Sequence, residues 1–233
     1  MDTEVSRLRS AAMARLSYPR AGQPLPAALP PATRTVGQLI AETIRLYGGR
    51  FWAVLPLGAV FCAIDVASFD RSILVQTLIL WAFAPAFAAA FVYASGIAAG
   101  ERPPRGAALT AFRVGLLVFV PFPVLVRIFV LPGIVWFALV GLAVPAAALE
   151  RLGFLAALRR GFRLSRADLV HAIAGLATLV LVYGLSKYAL LLLLHTQGDQ
   201  TQRIAAGVAD FVLSPLLFLG SALLYVDQAA RVE

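Results

Sequence analysis

Long apolar runs, separated by short segments that carry arginine, constrain this 233-residue chain more than any other feature of its sequence. Each run is long enough to cross the hydrocarbon core of a bilayer, about 30 Å thick, as a helix. Apolar residues make up 61% of the chain and charged residues only 14%, whereas soluble domains have about 45–50% and about 25%. The sequence therefore predicts an all-α membrane protein and excludes an ordinary water-soluble domain.

Hydropathy divides residues 35–233 into six predicted transmembrane helices, which together form one polytopic helix bundle. The region 107–149 permits two interpretations, because Pro121, Pro123 and the pair Pro132-Gly133 fit either two spans with a tight outer turn or a re-entrant segment. We favour two spans. The predicted spans are residues 51–69, 72–98, 107–131, 133–149, 169–194 and 204–226.

Two shorter segments are predicted to form amphipathic helices that lie on the cytoplasmic face of the membrane. The first begins after Thr35, a residue type that caps helix N-termini, and ends at Gly48 and Gly49. The second occupies residues 150–168. Its apolar stripe consists of Phe154, Leu155, Leu158 and Phe162.

The basic residues predict how the chain is oriented. Residues 1–34 carry five arginines and five prolines and are expected to form a flexible basic cytoplasmic tail. With that tail inside, sixteen of the twenty basic residues fall on the cytoplasmic side and four on the outer side. The positive-inside rule therefore predicts both termini in the cytoplasm. Arginine outnumbers lysine nineteen to one, as is typical of a GC-rich bacterial genome, so we expect a bacterial plasma membrane.

An outer polar cluster is the first candidate site, because ionisable side chains within hydrocarbon need a partner, water or a functional role. Lys187 and Asp210 lie at similar distances from the loop between the last two spans, so we predict that they pair. Asp65, Arg127 and Gln76 are expected at similar depth, and Asp65 and Arg127 either pair or extend separately towards the surface. We favour a structural role for the Lys187–Asp210 pair, and ion or proton coupling is the alternative.

An arginine patch is the second candidate site and consists of Arg159, Arg160, Arg163 and Arg166. These residues recur at helical spacing beside the apolar stripe, so we expect them on one surface at the inner leaflet. Each surface arginine can gain about 1 kcal/mol from anionic lipid. We expect the patch to bind anionic phospholipid headgroups or an acidic membrane-protein partner. The alternative is that the arginines only keep this segment on the cytoplasmic side.

Alanine recurs at every fourth position of the second predicted span. Such a row of small residues lets two helices approach closely in lipid, either within the bundle or in a homo-oligomer. The row consists of Ala82, Ala86, Ala90, Ala94 and Ala98.

No catalytic constellation is visible in the chain. His171 and His195 fall at opposite ends of one predicted span, Cys62 is the single cysteine, and no nucleophile pairs with a base. We therefore expect no catalytic residue, no enzyme activity, no metal site and no cofactor. Membrane orientation explains the net charge of +8, and the sequence has no nucleic-acid-binding module, so nucleic acid is not an expected partner.

Several short motifs spread over residues 35–233 occur together in a known group of proteins. They are Val36-Gly37-Gln38-Leu39, Arg45-Leu46-Tyr47, Leu131-Pro132-Gly133-Ile134, Leu149-Glu150, the run from Ala157 to Ser165, Leu213-Ser214-Pro215 and Leu224-Tyr225-Val226-Asp227. With these motifs the chain resembles a widespread group of bacterial multipass membrane proteins. That group is similar to the membrane domain attached to some glycerophosphodiester phosphodiesterases.

The chain departs from that group in two ways. Family members often carry arginine two residues after the final aspartate, whereas this chain has Ala229 there and Arg231 later. The sequence also lacks the phosphodiesterase barrel with its acidic metal ligands and paired histidines. The resemblance therefore implies a membrane module without hydrolase activity.

Two functions follow from these expectations. The first is a non-catalytic membrane protein that organises anionic lipid or a partner protein at the inner leaflet through the arginine patch. The alternative is a small transporter or permease-like protein that uses the outer polar cluster around Lys187 and Asp210.

Overall fold

The computed structural model describes residues 30–232, and this part of the chain is about 85% helical and contains no β-strand. The predicted all-α fold is therefore confirmed. Short 3-10 helices cover Pro31–Thr33 and Leu55–Gly58. The α-helices are α1 (Val36–Gly49), α2 (Phe51–Val54), α3 (Ala59–Ser68), α4 (Ile73–Ala82), α5 (Ala84–Ala99), α6 (Arg105–Phe119), α7 (Phe122–Ile128), α8 (Val130–Val140), α9 (Ala143–Leu149), α10 (Phe154–Ala167), α11 (Leu169–Leu193), α12 (Asp199–Leu213) and α13 (Pro215–Val232).

Within residues 30–232, five helical segments are long and apolar enough to cross a membrane, which is consistent with a membrane protein. The count becomes six if the pair α4 and α5, which is bent by 46°, forms one span. The predicted boundaries lie close to those observed except for the last span. Polar residues at both ends of that span lower its local hydropathy, so the predicted span is shorter than the observed helical segment. The five segments are Phe51–Ser68, Arg105–Ile128, Val130–Leu149, Leu169–Leu193 and Asp199–Val232.

The turn after the Arg105–Ile128 segment lies at Phe129, so its predicted position at Pro132-Gly133 is wrong. Phe129 has an extended backbone between α7 and α8. Pro132 lies in the first turn of α8, where its missing N–H breaks no intrahelical hydrogen bond. The segments on either side of Phe129 are each long enough to span, and this supports two spans over a re-entrant segment.

The first and last spanning segments are both broken, and they pack together at their breaks. The 3-10 helix Leu55–Gly58 separates α2 from α3, and Ser214 separates α12 from α13, which begins at Pro215. Pro215 has no N–H to donate to the carbonyl oxygen of Phe211. That oxygen lies against Gly58, and any side chain at position 58 would overlap it. Glycine is therefore required where the two broken segments cross.

Aromatic side chains donate hydrogen bonds to backbone carbonyl oxygens at the helix breaks. In a bilayer such carbonyls have no water to bond, so a protein donor stabilises the irregular backbone. Burial also raises the pKa of Tyr47 above its usual range, which keeps its hydroxyl protonated as a donor. The bonds join Tyr47 Oη to Val212 O (2.8 Å), Trp81 Nε1 to Val120 O (2.8 Å) and Trp136 Nε1 to Val118 O (2.9 Å).

Small residues bring the second and third spans together. A Cβ atom added at Gly115 of α6 would lie 2.8 Å from the Cβ of Ala88 on α5. In the predicted alanine row, Ala94 is fully buried within the chain, whereas Ala82 is exposed. The row therefore makes an internal contact over its second half, and a homo-oligomer stays a prediction.

Residues 30–34 pack against α13, so the predicted flexible tail does not include them. Arg34 Nη1 lies 2.9 Å from Asp227 Oδ1, and the two side chains are 8% and 0% exposed. Arg231 donates to the carbonyl oxygen of Arg34 (2.8 Å) and also pairs with Asp168. The prediction of a flexible basic tail now concerns residues 1–29, which lie outside the described residues.

Candidate functional site

Helix α10 is held against the bundle by a face of small side chains. Gly161 lies against Ala143 at the start of α9, and any side chain at position 161 would overlap the Ala143 backbone. The buried hydroxyl of Ser165 lies 2.6 Å from the carbonyl oxygen of Ala138 on α8. Ala157 and Leu164 are also buried. These contacts fix the rotation of α10 about its axis.

That rotation leaves Arg159, Arg163 and Arg166 exposed on the opposite side of α10. Among residues 30–232, no carboxylate lies within 4 Å of these three guanidinium groups. Leu155 and Phe162 are exposed beside them, and the guanidinium of Arg166 lies over the Phe162 ring at 5.3 Å from its centroid. The surface, which we call the arginine face, combines strong positive charge with apolar area.

Arg160 does not join the arginine face, and in this respect the predicted four-residue patch is wrong. Its Nε atom lies 2.9 Å and 3.1 Å from the two carboxylate oxygens of Glu150. The hydroxyl of Tyr225 donates to the same carboxylate at 2.6 Å. A step of about 100° per residue carries position 160 around to the flank of α10 that faces Glu150. Arg160 therefore joins α10 to the end of α9 and to α13.

At the other end of the bundle, the predicted pair of Lys187 and Asp210 is confirmed. Lys187 Nζ on α11 lies 2.8 Å from Asp210 Oδ2 on α12. The same ammonium lies 3.3 Å from Asp65 Oδ1 on α3, and the hydroxyl of Tyr183 donates to Asp210 Oδ1 at 2.5 Å. We call these four residues the lysine cluster. It joins three spanning segments around one ammonium group.

Burial differs sharply within the lysine cluster. The side chain of Asp210 is 3% exposed, that of Lys187 is 21% exposed and that of Asp65 is 40% exposed. Two carboxylates therefore share one ammonium, and the second carboxylate reaches the edge of the protein. Sequence reasoning missed Tyr183, although it precedes Lys187 by four residues and so lies on the same face of α11.

Arg127 and Gln76, which were predicted to belong to the same cluster, form a separate pair. Arg127 Nη2 donates to Gln76 Oε1 at 2.6 Å, and Gln76 Nε2 donates to the backbone carbonyl of Arg71 at 3.0 Å. Of the two alternatives for Asp65 and Arg127, the structure excludes a pair, because Asp65 contacts Lys187. The five predicted polar residues therefore divide between two separate groups of contacts and do not form one site.

Within residues 30–232, no group of three or more His, Cys, Asp or Glu side chains is arranged to hold a metal ion. His171 lies in the first turn of α11, whereas His195 lies two residues beyond its other end. Searches of protein-family models, of curated proteins and of solved structures found no match for this chain, so the resemblance described above stays a prediction.

Proposed function

We propose that this chain is a non-catalytic protein of the bacterial plasma membrane that binds anionic phospholipid at the inner leaflet through Arg159, Arg163 and Arg166. The observation that carries the proposal is the fixed rotation of α10, which presents these three exposed arginines beside the exposed Leu155 and Phe162. An interfacial helix needs both features, because apolar side chains enter the lipid while arginines remain at the level of the phosphates.

The proposal treats α4 and α5 as one bent span, which gives six spans. An even number returns the chain to the side from which it starts, so both termini, α1 and α10 share the cytoplasmic side. The distribution of arginine supports this orientation. A cysteine introduced at position 160 of a Cys62→Ser background is then expected to resist labelling by a membrane-impermeant reagent in intact cells. Labelling at that position would invert the orientation and contradict the proposal.

The expected strength of lipid binding follows from the number of arginines. Each contributes about 1 kcal/mol near an anionic surface, so three contribute about 3 kcal/mol, or roughly a hundredfold in affinity. Binding of this kind weakens as salt screens the charges. An acidic protein partner would use the same charges. We favour lipid because α10 packs against helices that are apolar enough to span a membrane, where its exposed apolar side chains meet the bilayer.

The test compares the purified wild-type protein with the variant Arg159→Gln, Arg163→Gln, Arg166→Gln in mixed micelles of phosphatidylglycerol and phosphatidylcholine. We expect the variant to lose its preference for phosphatidylglycerol at α10, measured by mapping where photoreactive phosphatidylglycerol and phosphatidylcholine cross-link within residues 154–167 by peptide mass spectrometry. The matched control replaces the same three residues with lysine, which keeps the charge and is expected to keep most of the preference. An unchanged preference in the glutamine variant would contradict the proposal.

The lysine cluster favours a second candidate function, a small transporter or permease-like protein. The specific observation is that two carboxylates share the ammonium of Lys187 while one of them, Asp65, is 40% exposed. An exposed carboxylate beside a buried ion pair could exchange a proton or a cation with the outside. The broken first and last spans pack together at Gly58, and broken helices line the binding sites of many transporters.

Proteoliposomes with an internal pH-sensitive dye distinguish the two functions of this cluster. If the cluster couples proton movement, Asp65→Asn is expected to abolish a proton flux that the wild-type protein supports, while the fold remains intact. If the cluster only pins helices together, neither protein supports flux. The arginine-to-glutamine variant serves as the control, because it leaves the lysine cluster intact.

A further inference from the structure

A groove of about 620 Å³ opens at the same end of the bundle as α10, but between other helices. Its walls are the start of the first span, the end of the second and the start of the third. Small side chains leave the space open, since Ala53 on α2, Ala89 on α5 and Ala108 on α6 line it. The volume falls within the range of about 300–1,000 Å³ that is typical of ligand sites.

The groove is apolar along its length and basic at its mouth. Val92 and Phe112 contribute apolar walls, whereas Arg50, Arg102 and Glu101 line the end where the spans leave the bundle. Two guanidinium groups and one carboxylate give that mouth a net positive charge. This combination matches a molecule with a long apolar part and an anionic head.

Local backbone structure fixes the charged mouth in place. Arg50 Nη1 donates to the carbonyl oxygen of Ile97 at 2.6 Å, in the last turn of α5. Gly100 follows the last residue of α5 with a left-handed φ of 74°, and the N–H of Glu101 bonds back to the carbonyl of Gly96 at 3.0 Å. This helix ending needs glycine and turns the following residues, including Arg102, back towards the groove.

We propose that this groove is a binding site for one anionic phospholipid, with its phosphate at Arg50 and Arg102 and one acyl chain along the wall formed by Val92 and Phe112. The occupant follows from charge complementarity at the mouth and from the apolar walls that a soluble anion would leave empty. A zwitterionic lipid would bring its own cation to a mouth that is already positive. The site uses no residue of the arginine face and is independent of the function proposed for it.

The test uses phosphatidylglycerol with a photoreactive diazirine on its acyl chain, titrated onto the purified full-length protein in detergent. Cross-linked residues are mapped by peptide mass spectrometry. We expect saturable labelling of the groove wall, with a dissociation constant about thirtyfold weaker in Arg50→Gln, Arg102→Gln. Arg105→Gln is the matched charge control, because Arg105 is exposed nearby but does not line the groove.

A second variant keeps the proposal testable if loss of the Arg50 bond to Ile97 unfolds the protein. Ala89→Trp fills the groove without removing charge and is expected to abolish saturable labelling of the wall, whereas Ala82→Trp, at an exposed position outside the groove, leaves it unchanged. Labelling that survives Ala89→Trp, or equal labelling by the corresponding phosphatidylcholine probe, would overturn the proposal. The proposal would also be overturned if inorganic phosphate bound equally well to the wild-type protein and to Ala89→Trp, and if Ala89→Trp did not abolish the lipid labelling.

The outcome is separable from that of the proposed function. The variant Arg159→Gln, Arg163→Gln, Arg166→Gln is expected to leave the groove dissociation constant unchanged. Conversely, Ala89→Trp is expected to leave the lipid preference of the arginine face unchanged. Failure of one site therefore carries no implication for the other.

Discussion

The arginine face and the lysine cluster treat charge in opposite ways. On the arginine face, Arg159, Arg163 and Arg166 are exposed and have no carboxylate within reach among residues 30–232. In the lysine cluster, the ammonium of Lys187 contacts the carboxylates of both Asp210 and Asp65 across three spanning segments. Charge on the exposed side of α10 is therefore left without a carboxylate partner in this part of the chain, whereas charge between the helical segments is matched by another side chain.

Lys187→Leu tests this difference most severely. The variant leaves the carboxylates of Asp65 and Asp210 without an opposite charge, so the free energy of unfolding is expected to fall by about 3–5 kcal/mol. Unfolding by sodium dodecyl sulfate in mixed micelles, followed by circular dichroism, measures the loss. Tyr188→Leu, at the next and exposed position, is the control and should change little. A loss below about 1 kcal/mol for Lys187→Leu would mean that the pair does not stabilise the bundle.

Gly161→Ala tests whether the arginine face depends on the docking of α10. The added Cβ atom overlaps the backbone of Ala143, and overpacking of this kind costs about 1–3 kcal/mol. We expect faster hydrogen exchange in residues 154–167 and a lower unfolding free energy. Gly184→Ala on α11 is the matched control, because an added Cβ atom meets nothing within 4 Å there. Equal effects of the two substitutions would argue against a tightly docked helix.

Arg160→Gln and Arg163→Gln compare two arginines of the same helix, one paired with Glu150 and one exposed. Arg160 pairs with Glu150, and both side chains are partly exposed, so its substitution is expected to cost up to about 1 kcal/mol of unfolding free energy. Arg163 is exposed, and its substitution should change that energy by less than about 0.5 kcal/mol. Lipid preference should respond in the reverse order. If Arg160→Gln reduced lipid preference more than Arg163→Gln, Arg160 would belong to the lipid-binding surface, as the predicted four-residue patch requires.

Asp65→Asn is expected to destabilise the lysine cluster only slightly. The 40% exposed carboxylate is the outer partner of Lys187, and the pair with Asp210 survives its removal, so the cost should stay below about 1 kcal/mol. The same unfolding assay measures it, with Lys187→Leu as the reference. A cost as large as that of Lys187→Leu would show that Asp65, and not Asp210, is the main partner.

Much of the fold could be predicted from the sequence, because lipid requires long continuous apolar runs that hydropathy detects directly. The depth of a side chain could also be predicted, and counting residues from the loop identified the Lys187–Asp210 pair. The direction in which a side chain points could not be predicted, because it depends on how each helix is rotated in the bundle. For this reason the sequence did not reveal that Arg160 faces Glu150 and that Asp65 faces Lys187.

The groove could not be predicted from the sequence, because residues from three separate spans form it. Ala53, Ala89 and Ala108 belong to three different spans, and each is an ordinary residue for a membrane helix. The empty volume exists only where their short side chains meet. The position of the turn near Pro132 could not be predicted either, because proline is well suited both to a turn and to the first turn of a helix.

The bond between Arg34 and Asp227 joins residues that are 193 positions apart. During translation, Arg34 leaves the ribosome long before Asp227 has been synthesised. Until the final helix is inserted, the guanidinium of Arg34 cannot bond to Asp227 and contacts water or lipid phosphates instead. The ion pair that joins the segment before α1 to α13 can therefore form only after the last helix has been synthesised.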